Sequence, residues 1–222
     1  MGNPTPLPTF LRPMLAQPGR AFDSDQHLFE IKWDGIRALA FVEHAGYRLV
    51  SRHGLALDGL FPELAGDLPP GTLLDGELVV LRNGRPDLSL VQSRQQLRRG
   101  HKIRVRAQTT PATYLVFDQL YHEYRPLLGT TLSVRRKILL TTLGRAGHPR
   151  LVFSQGVLGA GRAFFQQVSL RSFADNQRPE DSQPQVGPQI KSIRTGFGPN
   201  GSGTSESLEI TETWLDVCAE SR

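Results

Sequence analysis

Residues 30–37, Glu-Ile-Lys-Trp-Asp-Gly-Ile-Arg, constrain the fold of this chain more than any other segment. Lys32 lies between apolar Ile31 and Trp33, and the Asp-Gly pair that follows favours a turn. We therefore predict that Lys32 lies where a strand bends, at a point where the backbone can approach a ligand. A buried lysine beside other cations can lose its proton near neutral pH and become a nucleophile. The alternative is an amphipathic edge strand whose lysine is solvated.

The hydrophobic pattern predicts short strands and helices in an irregular order. Strands are predicted at 28–33, 36–43, 47–51, 72–81, 112–120 and 151–154. Helices are predicted at 58–66, 87–99 and 132–143 and from 161 onward, the first two capped by Asp58 and Asp87. Such an order indicates an α+β fold with mainly antiparallel sheets.

Composition predicts one domain at residues 1–168, followed by a polar tail at 169–222. Because the tail is rich in Ser, Gln, Pro and Gly, we expect it to be mostly disordered, with a short helix within 207–220. No run of 18 apolar residues occurs, so no membrane span is expected. The start of the chain does not resemble a signal peptide, and the single Cys218 has no partner for a disulfide within the chain. We expect a cytoplasmic protein.

Positive charge is concentrated in one stretch. Residues 1–168 hold 21 Lys and Arg against 13 Asp and Glu, whereas residues 169–222 hold 5 against 8. Within 82–106 there are eight Lys and Arg against a single acid, Asp87. Such a cluster is the electrostatic footprint of a protein that binds nucleic-acid phosphates, although a solvated helix face is the alternative. We expect Arg94, Arg98 and Arg99 to contact DNA.

The octet and four later segments resemble, in order, the motifs of the covalent nucleotidyltransferases. This family comprises ATP-dependent DNA ligases, RNA ligases and mRNA capping enzymes. The similar segments are K-x-D-G-x-R at 32–37 (motif I), S-R-x-G at 51–54, D-G-E-L at 75–78 (motif III), the L-Q-x-R-like stretch at 90–94 and Tyr-Leu-Val-Phe-Asp at 114–118 (motif IIIa). The phrase around Lys32 looks most like the bacterial end-joining DNA ligases, and the resemblance extends from about 13 to about 168.

The resemblance implies a nucleotidyltransferase fold of the ATP-grasp-like ligase adenylation type, with two packed sheets and the nucleotide in the groove between them. It implies ATP and Mg²⁺ as cofactors, DNA as a partner, and the sealing of DNA breaks in repair and recombination as the function. Lys32 is implied as the nucleophile that forms a lysyl-AMP phosphoramidate. The other implied roles are Glu30 beside the base, Arg37 and Arg52 at the ribose and phosphates, Glu77 at the ribose or metal, and Phe117 stacked on adenine. Three of these residues have structural alternatives: Phe117 as a core residue, Glu77 as a strand-end acid and Arg52 as a loop cation.

The chain departs from the family pattern after residue 168. Motif IV, E-G-x-x, does not follow the helix that begins at 161, and motif V, K-x-K, is represented at most by the lone Lys191. The OB-fold domain with motif VI is also missing from the pattern. These departures keep open a truncated or frame-shifted, non-catalytic remnant that at most binds nucleotide or DNA. They also keep open an enzyme that is completed by a separate chain.

Overall fold

A computed structural model describes residues 5–14, 16–18, 20–176, 189–194 and 212–215. The chain divides into two compact units. The first unit comprises Met1–Pro13 and Trp33–Ser154, and the second comprises Met14–Lys32 and Gln155–Arg222. In chain order the strands are β1 (Ala16–Pro18), β2 (Ser24–Ile31), β3 (Ile36–Glu43), β4 (Gly46–Ser51), β5 (Thr72–Arg82), β6 (Arg85–Pro86), β7 (Ala112–His122), β8 (Arg125–Pro126), β9 (Leu151–Phe153), β10 (Gly156–Gly159), β11 (Ile190–Arg194) and β12 (Glu212–Leu215). The helices are α1 (Leu88–Gln95), α2 (Gly100–Thr109), α3 (Leu132–Ala146) and α4 (Gly161–Asn176).

The first unit is built on a mainly antiparallel sheet in the order β4-β3-β5-β7-β8. Strand β6 pairs with the end of β5, and β9 adds to β7 in parallel. The strands β5 and β7 are buried along most of their length, as expected of strands that are covered on both faces: β5 is rich in Leu and Val, and β7 in β-branched and aromatic residues. The fold class predicted from the sequence, α+β with mainly antiparallel sheets, is confirmed.

The two faces of this sheet have different roles. On one face Ala38, Leu74, Leu78 and Val116 form a core with residues of α1 and α3. On the other face a smaller apolar cluster around Leu39, Phe41 and Leu73 packs against the N-terminal residues Leu7, Phe10 and Leu11. Side chains alternate between the two faces along each strand. The other odd-numbered residues of β3 and β5 therefore lie on the same face as Leu39, Phe41 and Leu73.

The second unit contains a five-stranded sheet among the described residues, in the order β1-β12-β11-β2-β10. Strand β2 lies between β11 and β10, and both pair with it antiparallel. The core of this unit is formed by Phe29 and Ile190, against which Phe22, Phe164 and Phe165 pack.

The described parts of the C-terminal region are regular structure. Helix α4 continues to Asn176, and two segments beyond it, β11 and β12, are strands. The predicted helix within 207–220 is wrong for Glu212–Leu215, and its remaining residues lie outside the described part. The expectation that 169–222 is mostly disordered falls largely on residues outside the described part. Among the described ones, Ile190 and Ile193, which are isolated in a polar sequence, are buried against β2 by strand pairing. Strand β2 pairs with later strands and belongs to the second unit, whereas the boundary predicted at 168 stays a prediction.

Two helix predictions are also corrected. The segment after Asp58 forms two 3-10 turns, Asp58–Leu60 and Pro62–Leu64, because Pro62 cannot sit within an α-helix. The helix predicted for 87–99 ends earlier, at Gln95 of α1, and α2 at Gly100–Thr109 was not predicted.

The predicted cap at Asp87 is confirmed, and it gives the first testable prediction. Its carboxylate accepts a hydrogen bond from the Leu90 amide at 3.0 Å and pairs with Arg82 at 2.9 Å. Partial burial raises the pKa of Asp87, but the hydrogen bonds from Ser89 and Leu90 together with Arg82 outweigh burial, so the pKa lies below its ordinary value. We expect Asp87→Ala to lower the free energy of unfolding by about 1 kcal/mol at pH 7, measured by urea denaturation.

The pH dependence of the Asp87 contribution follows from its lowered pKa in the folded state. The charge-dependent part is fully present above the unfolded carboxyl pKa of about 3.9 and is lost as pH falls through the folded value. Asp87→Asn keeps a capping oxygen without the charge and is the matched control. The stability gap between wild type and Asp87→Asn should therefore close on acidification below about pH 4, and a gap that widens there would contradict the assignment.

Candidate nucleotide site

After Lys32 the chain leaves β2 through a turn that passes so close to β5 that one of its positions must be glycine. The Lys32 amide donates to the Gln189 carbonyl at 3.0 Å, which extends the pairing of β2 with the strand beside it. Two residues after Trp33, a Cβ added to Gly35 would lie 2.2 Å from the Leu78 carbonyl oxygen. No side chain fits there, so the Asp-Gly pair lets this turn press directly against β5. The predicted turn after Lys32 is confirmed.

Arg37 is held on the second face of the first-unit sheet by a carboxylate that the sequence reading did not single out. Its Nε donates to Asp75 Oδ1 at 3.1 Å and its Nη2 to Oδ2 at 2.9 Å, a fork-like pairing that fixes the plane of the guanidinium. Glu77 lies opposite Arg37 in the register of β3 with β5. Asp75 and Glu77, two residues apart on one strand, share this face with Arg37. The first position of D-G-E-L was the signal for Asp75, because its spacing places it beside Glu77.

The loop after β4 brings Arg52 next to Arg37. The Arg52 amide donates to the Arg37 carbonyl at 3.1 Å. The Ser51 hydroxyl accepts hydrogen bonds from the His53 and Leu55 amides at 3.3 and 3.1 Å, which closes the loop. Gly54 has a φ of +82°, a conformation that favours glycine. The S-R-x-G pattern therefore has a physical basis: serine and glycine shape a loop that places the arginine.

Phe117 occupies an irregular position in β7. Asp75 pairs with Asp118 and Gly76 with Val116, so Phe117 is the extra residue of a β-bulge. Its side chain is 3% exposed, and the Arg37 guanidinium lies over its ring at 5.0 Å from the centroid. Bulges redirect side chains, and here the ring contacts the same cation that Asp75 grips.

Asp118, the last residue of motif IIIa, serves the scaffold. Its carboxylate accepts from Arg135 Nε at 2.8 Å and Nη2 at 2.7 Å. Burial raises the pKa of Asp118, and the contact with Arg135 opposes that rise. The pair ties α3 to β7 beside Phe117.

In the second unit, Glu30 forms a buried ion pair. Lys191 Nζ lies 3.3 Å from Glu30 Oε2, and the two side chains are 4% and 0% exposed. The residues are direct partners in the register of β11 with β2. Lys191 therefore lies on a strand beside the Lys32 segment. From the sequence it was at most a lone representative of motif V.

The predicted site residues thus fall into two groups. Arg37, Glu77 and Phe117 lie on neighbouring strands of the first unit, with Arg52 tied to Arg37 through the backbone. Glu30 and Lys32 lie in the second unit. Within the described residues no cluster of three or more His, Cys, Asp or Glu forms a metal site. Magnesium nevertheless binds through one or two carboxylates together with substrate phosphates, and Glu77 is compatible with that mode.

The basic stretch 82–106 requires one correction. Arg94 is 1% exposed, and its guanidinium is held by Glu63 at 2.8 and 3.1 Å and by the Leu60 and Thr110 carbonyls. The prediction that Arg94 contacts DNA is therefore wrong, because a cation enclosed in this way cannot reach a phosphate. Arg98 and Arg99 are exposed, and so are the cations of α2, which has no buried residue: Lys102, Arg104 and Arg106.

Comparison with known proteins agrees with this arrangement. A solved mycobacterial DNA ligase D, complexed with ATP and MES, is 28% identical, with a TM-score of 0.61 over 92% of this chain and 59% of that one. The fold is that of ligase adenylation domains. The profile of the ATP dependent DNA ligase domain matches residues 13–157, and the chain belongs to this family.

Two curated relatives carry the same domain. The SPbeta prophage-derived DNA ligase-like protein LigB of Bacillus subtilis is 32% identical over 160 residues, which cover 70% of this chain and 55% of the relative. The multifunctional non-homologous end joining DNA repair protein LigD of Mycobacterium tuberculosis is 40% identical over 138 residues, which cover 59% of this chain and 17% of the relative. The chain thus matches about half of the first relative and a smaller part of the second. Among the described residues, no helix is both long and apolar enough to cross a membrane.

The two arginines Arg94 and Arg98 should behave differently on substitution. Arg94→Ala leaves the buried Glu63 carboxylate without its cation, so we expect a loss of about 3–5 kcal/mol in the free energy of unfolding, measured by chemical denaturation. Arg98→Ala, an exposed position in the same segment, is the control and should change stability by no more than about 0.5 kcal/mol. Equal losses in the two variants would contradict the assignment of Arg94 to the core.

Proposed function

We propose that this chain is the adenylation domain of an ATP-dependent DNA ligase that acts in the sealing of DNA breaks during repair and recombination. Lys32 Nζ attacks the α-phosphorus of ATP, the bond to the pyrophosphate oxygen breaks, and the proton leaves the nitrogen. The products are a lysyl-AMP phosphoramidate and pyrophosphate. A later transfer of AMP to a DNA 5′-phosphate would then allow ligation.

The grouping of Arg37, Arg52 and Glu77 is the observation that carries this proposal. Arg37 and Glu77 face each other across β3 and β5, and the Arg52 backbone is bonded to Arg37, in a chain that belongs to a ligase domain family. The arginines suit the ribose and phosphates, because a guanidinium binds oxyanions with defined geometry. Asp75 orients Arg37 before the nucleotide arrives, which reduces the entropic cost of binding.

Phe117 and Glu30 are proposed to recognise the base, Phe117 by stacking on adenine and Glu30 from beside it. The Arg37 guanidinium lies over the Phe117 ring, so a base that stacks on this ring would lie next to that cation. Magnesium, when bound, would offset negative charge on the phosphates, and Glu77 is the residue proposed to contact the metal or the ribose.

DNA is the proposed macromolecular partner. The surface formed by Arg98, Arg99 and α2 bears several exposed cations and no exposed acid between 98 and 109. Like charges that are four residues apart, such as Lys102 and Arg106, destabilise an isolated helix, and an anionic partner relieves that repulsion. This surface is therefore proposed to contact duplex phosphates without reading sequence.

A second candidate function is a domain that binds nucleotide or DNA without forming the covalent adduct. The buried Glu30–Lys191 ion pair favours it, because Lys191 already engages the carboxylate that is proposed to lie beside the base. The absence of motif IV after residue 168 points the same way. An enzyme completed by a separate chain would account for the same features.

Covalent labelling tests these readings. The chain is incubated with magnesium and ATP labelled on the α-phosphate, and then separated on a denaturing gel. We expect Lys32→Ala to abolish the label without changing the melting temperature, because a covalent phosphoramidate survives denaturation and Lys32 is the residue proposed to form it. Lys137→Ala, at an exposed position of α3, is the matched control and should retain the label.

Each labelling outcome favours one of the hypotheses about the function of this chain. Label that persists in Lys32→Ala would place the nucleophile elsewhere, and Lys191→Ala would then identify it. A wild type that binds ATP but carries no label would favour the non-covalent candidate. Label that appears only after a lysate fraction is added would favour completion by a separate chain.

Salt dependence tests the DNA surface. Each phosphate neutralised contributes roughly −0.9 to the slope of log K against log salt concentration. Arg98→Ala combined with Arg99→Ala should therefore flatten this slope by up to about 2 for a duplex of any sequence, measured by fluorescence anisotropy. Arg145→Ala, an exposed cation near the end of α3, is the control, and a slope unchanged in the double variant would make this surface a solvated face.

A further inference from the structure

A side-chain hydrogen bond joins the two ends of the long segment, residues 33–154, that belongs to the first unit. Trp33, the residue after Lys32, donates from its indole Nε1 to Ser154 Oγ at 3.1 Å. Trp33 is the first and Ser154 the last residue of the long segment that belongs to this unit. They are 121 positions apart in sequence, so this contact is a product of the fold alone.

Ser154 is itself fixed by its backbone. Its amide donates to the Val116 carbonyl at 2.8 Å, and its carbonyl accepts from Arg136 Nη2 at 2.6 Å. Ser154 is buried, which leaves little room for its hydroxyl to turn away from the indole. The indole is therefore anchored to a residue whose amide, carbonyl and hydroxyl are all engaged.

Arg136 connects this anchor to the strand that carries Phe117. Its Nη1 donates to the Phe117 carbonyl at 2.8 Å while its Nη2 holds Ser154. The guanidinium also lies over the Phe153 ring at 4.4 Å from the centroid. One buried side chain of α3 thus spans two neighbouring backbones at a fixed separation, because the guanidinium fork is rigid.

The turn that follows Trp33 is restrained at a second point. Gly35 lies so close to β5 that an added Cβ would be 2.2 Å from the Leu78 carbonyl and 2.9 Å from Glu77 Cγ. The backbone from Trp33 to Gly35 is therefore held both by its indole and by its contact with β5. Lys32 is one residue before this restrained stretch, and its own amide is bonded to Gln189.

We propose that Trp33, Ser154 and Arg136 form a positioning clamp that fixes the backbone next to Lys32 for transfer of AMP. This inference rests on the proposed function, and the three are positioning residues rather than catalytic ones. In-line attack requires the nucleophile within about 3–3.5 Å of phosphorus, and a misplacement of about 1 Å can cost roughly a hundredfold in rate. The clamp restricts the displacement of the backbone at Trp33, the residue adjacent to the proposed nucleophile. The same hydrogen bond would stabilise the fold in any protein, so the test must separate rate from stability.

The test measures the single-turnover rate of AMP transfer at saturating ATP, together with the ATP dissociation constant and the melting temperature. Trp33→Phe removes the donor, and Ser154→Ala removes the acceptor. We expect each to slow transfer at least about fivefold while changing the ATP dissociation constant less than about twofold. The double variant should be no slower than the slower single variant, because both changes remove one shared interaction. Ser154→Thr retains the hydroxyl and should retain most of the rate.

Tyr47→Phe is the matched control for stability. Its hydroxyl donates to the Phe61 carbonyl at 3.0 Å, a hydrogen bond within the same unit that does not involve the clamp. This variant should lower the melting temperature by a similar amount and transfer AMP at the wild-type rate.

Three results would overturn the clamp. Ser154→Ala could label at the wild-type rate, Tyr47→Phe could slow transfer as much as Ser154→Ala does, or the double variant could show the product of the two single effects. If Trp33→Phe fails to fold, the comparison of Ser154→Ala with Ser154→Thr decides the question. A wild type without label overturns both the clamp and the proposed function, whereas labelled wild type with equally labelled clamp variants overturns the clamp alone.

Discussion

The close pairing of β5 with β7 is the constraint on which the rest of the first unit depends. A Cβ added to Gly76 would lie 2.6 Å from the Leu115 carbonyl oxygen, so the strands can approach this closely only at glycine. Immediately beside it the register shifts by one residue, and Phe117 becomes the extra residue of the bulge. On this bulge the Phe117 ring lies under the Arg37 guanidinium, at 5.0 Å from the ring centroid. The glycine of D-G-E-L therefore permits the close strand pairing beside which a residue of a different motif contacts Arg37.

Buried arginines are the second organising feature. Arg94 grips Glu63 beneath α1, Arg135 grips Asp118, and Arg136 spans two backbone carbonyls. Each replaces the water that it loses on burial with several hydrogen bonds, which is the condition for placing a cation in a protein interior. The number of arginines in the sequence therefore overstates the positive charge on the surface of this protein. The charge available for DNA comes from α2 and the two arginines before it, and the arginines of α1 and α3 that are buried belong to the scaffold.

Three of the candidate site residues, Arg37, Arg52 and Phe117, are each positioned by a neighbour that is not itself expected to touch the nucleotide. Asp75 orients Arg37, the Ser51 hydroxyl shapes the loop of Arg52, and Arg136 holds the backbone of Phe117. Such supporting contacts keep polar groups at fixed positions before a ligand arrives, which is where binding sites gain precision. In the second unit Lys191 forms a buried ion pair with Glu30.

The sequence by itself determined the longer strands of the first unit, the turn after Lys32, the cap at Asp87 and the family, because periodicity, turn residues and ordered motifs are local signals. Tertiary structure alone decided which charges are exposed. Nothing local distinguishes Arg94 from Arg98; only the enclosure by Glu63 and two carbonyls does. Tertiary structure also decided that β11 forms, since Ile190 and Ile193 become a strand only when β2 supplies hydrogen bonds and a core. The contact between Trp33 and Ser154 belongs to the same class, because residues so distant in sequence meet only after the intervening chain has folded.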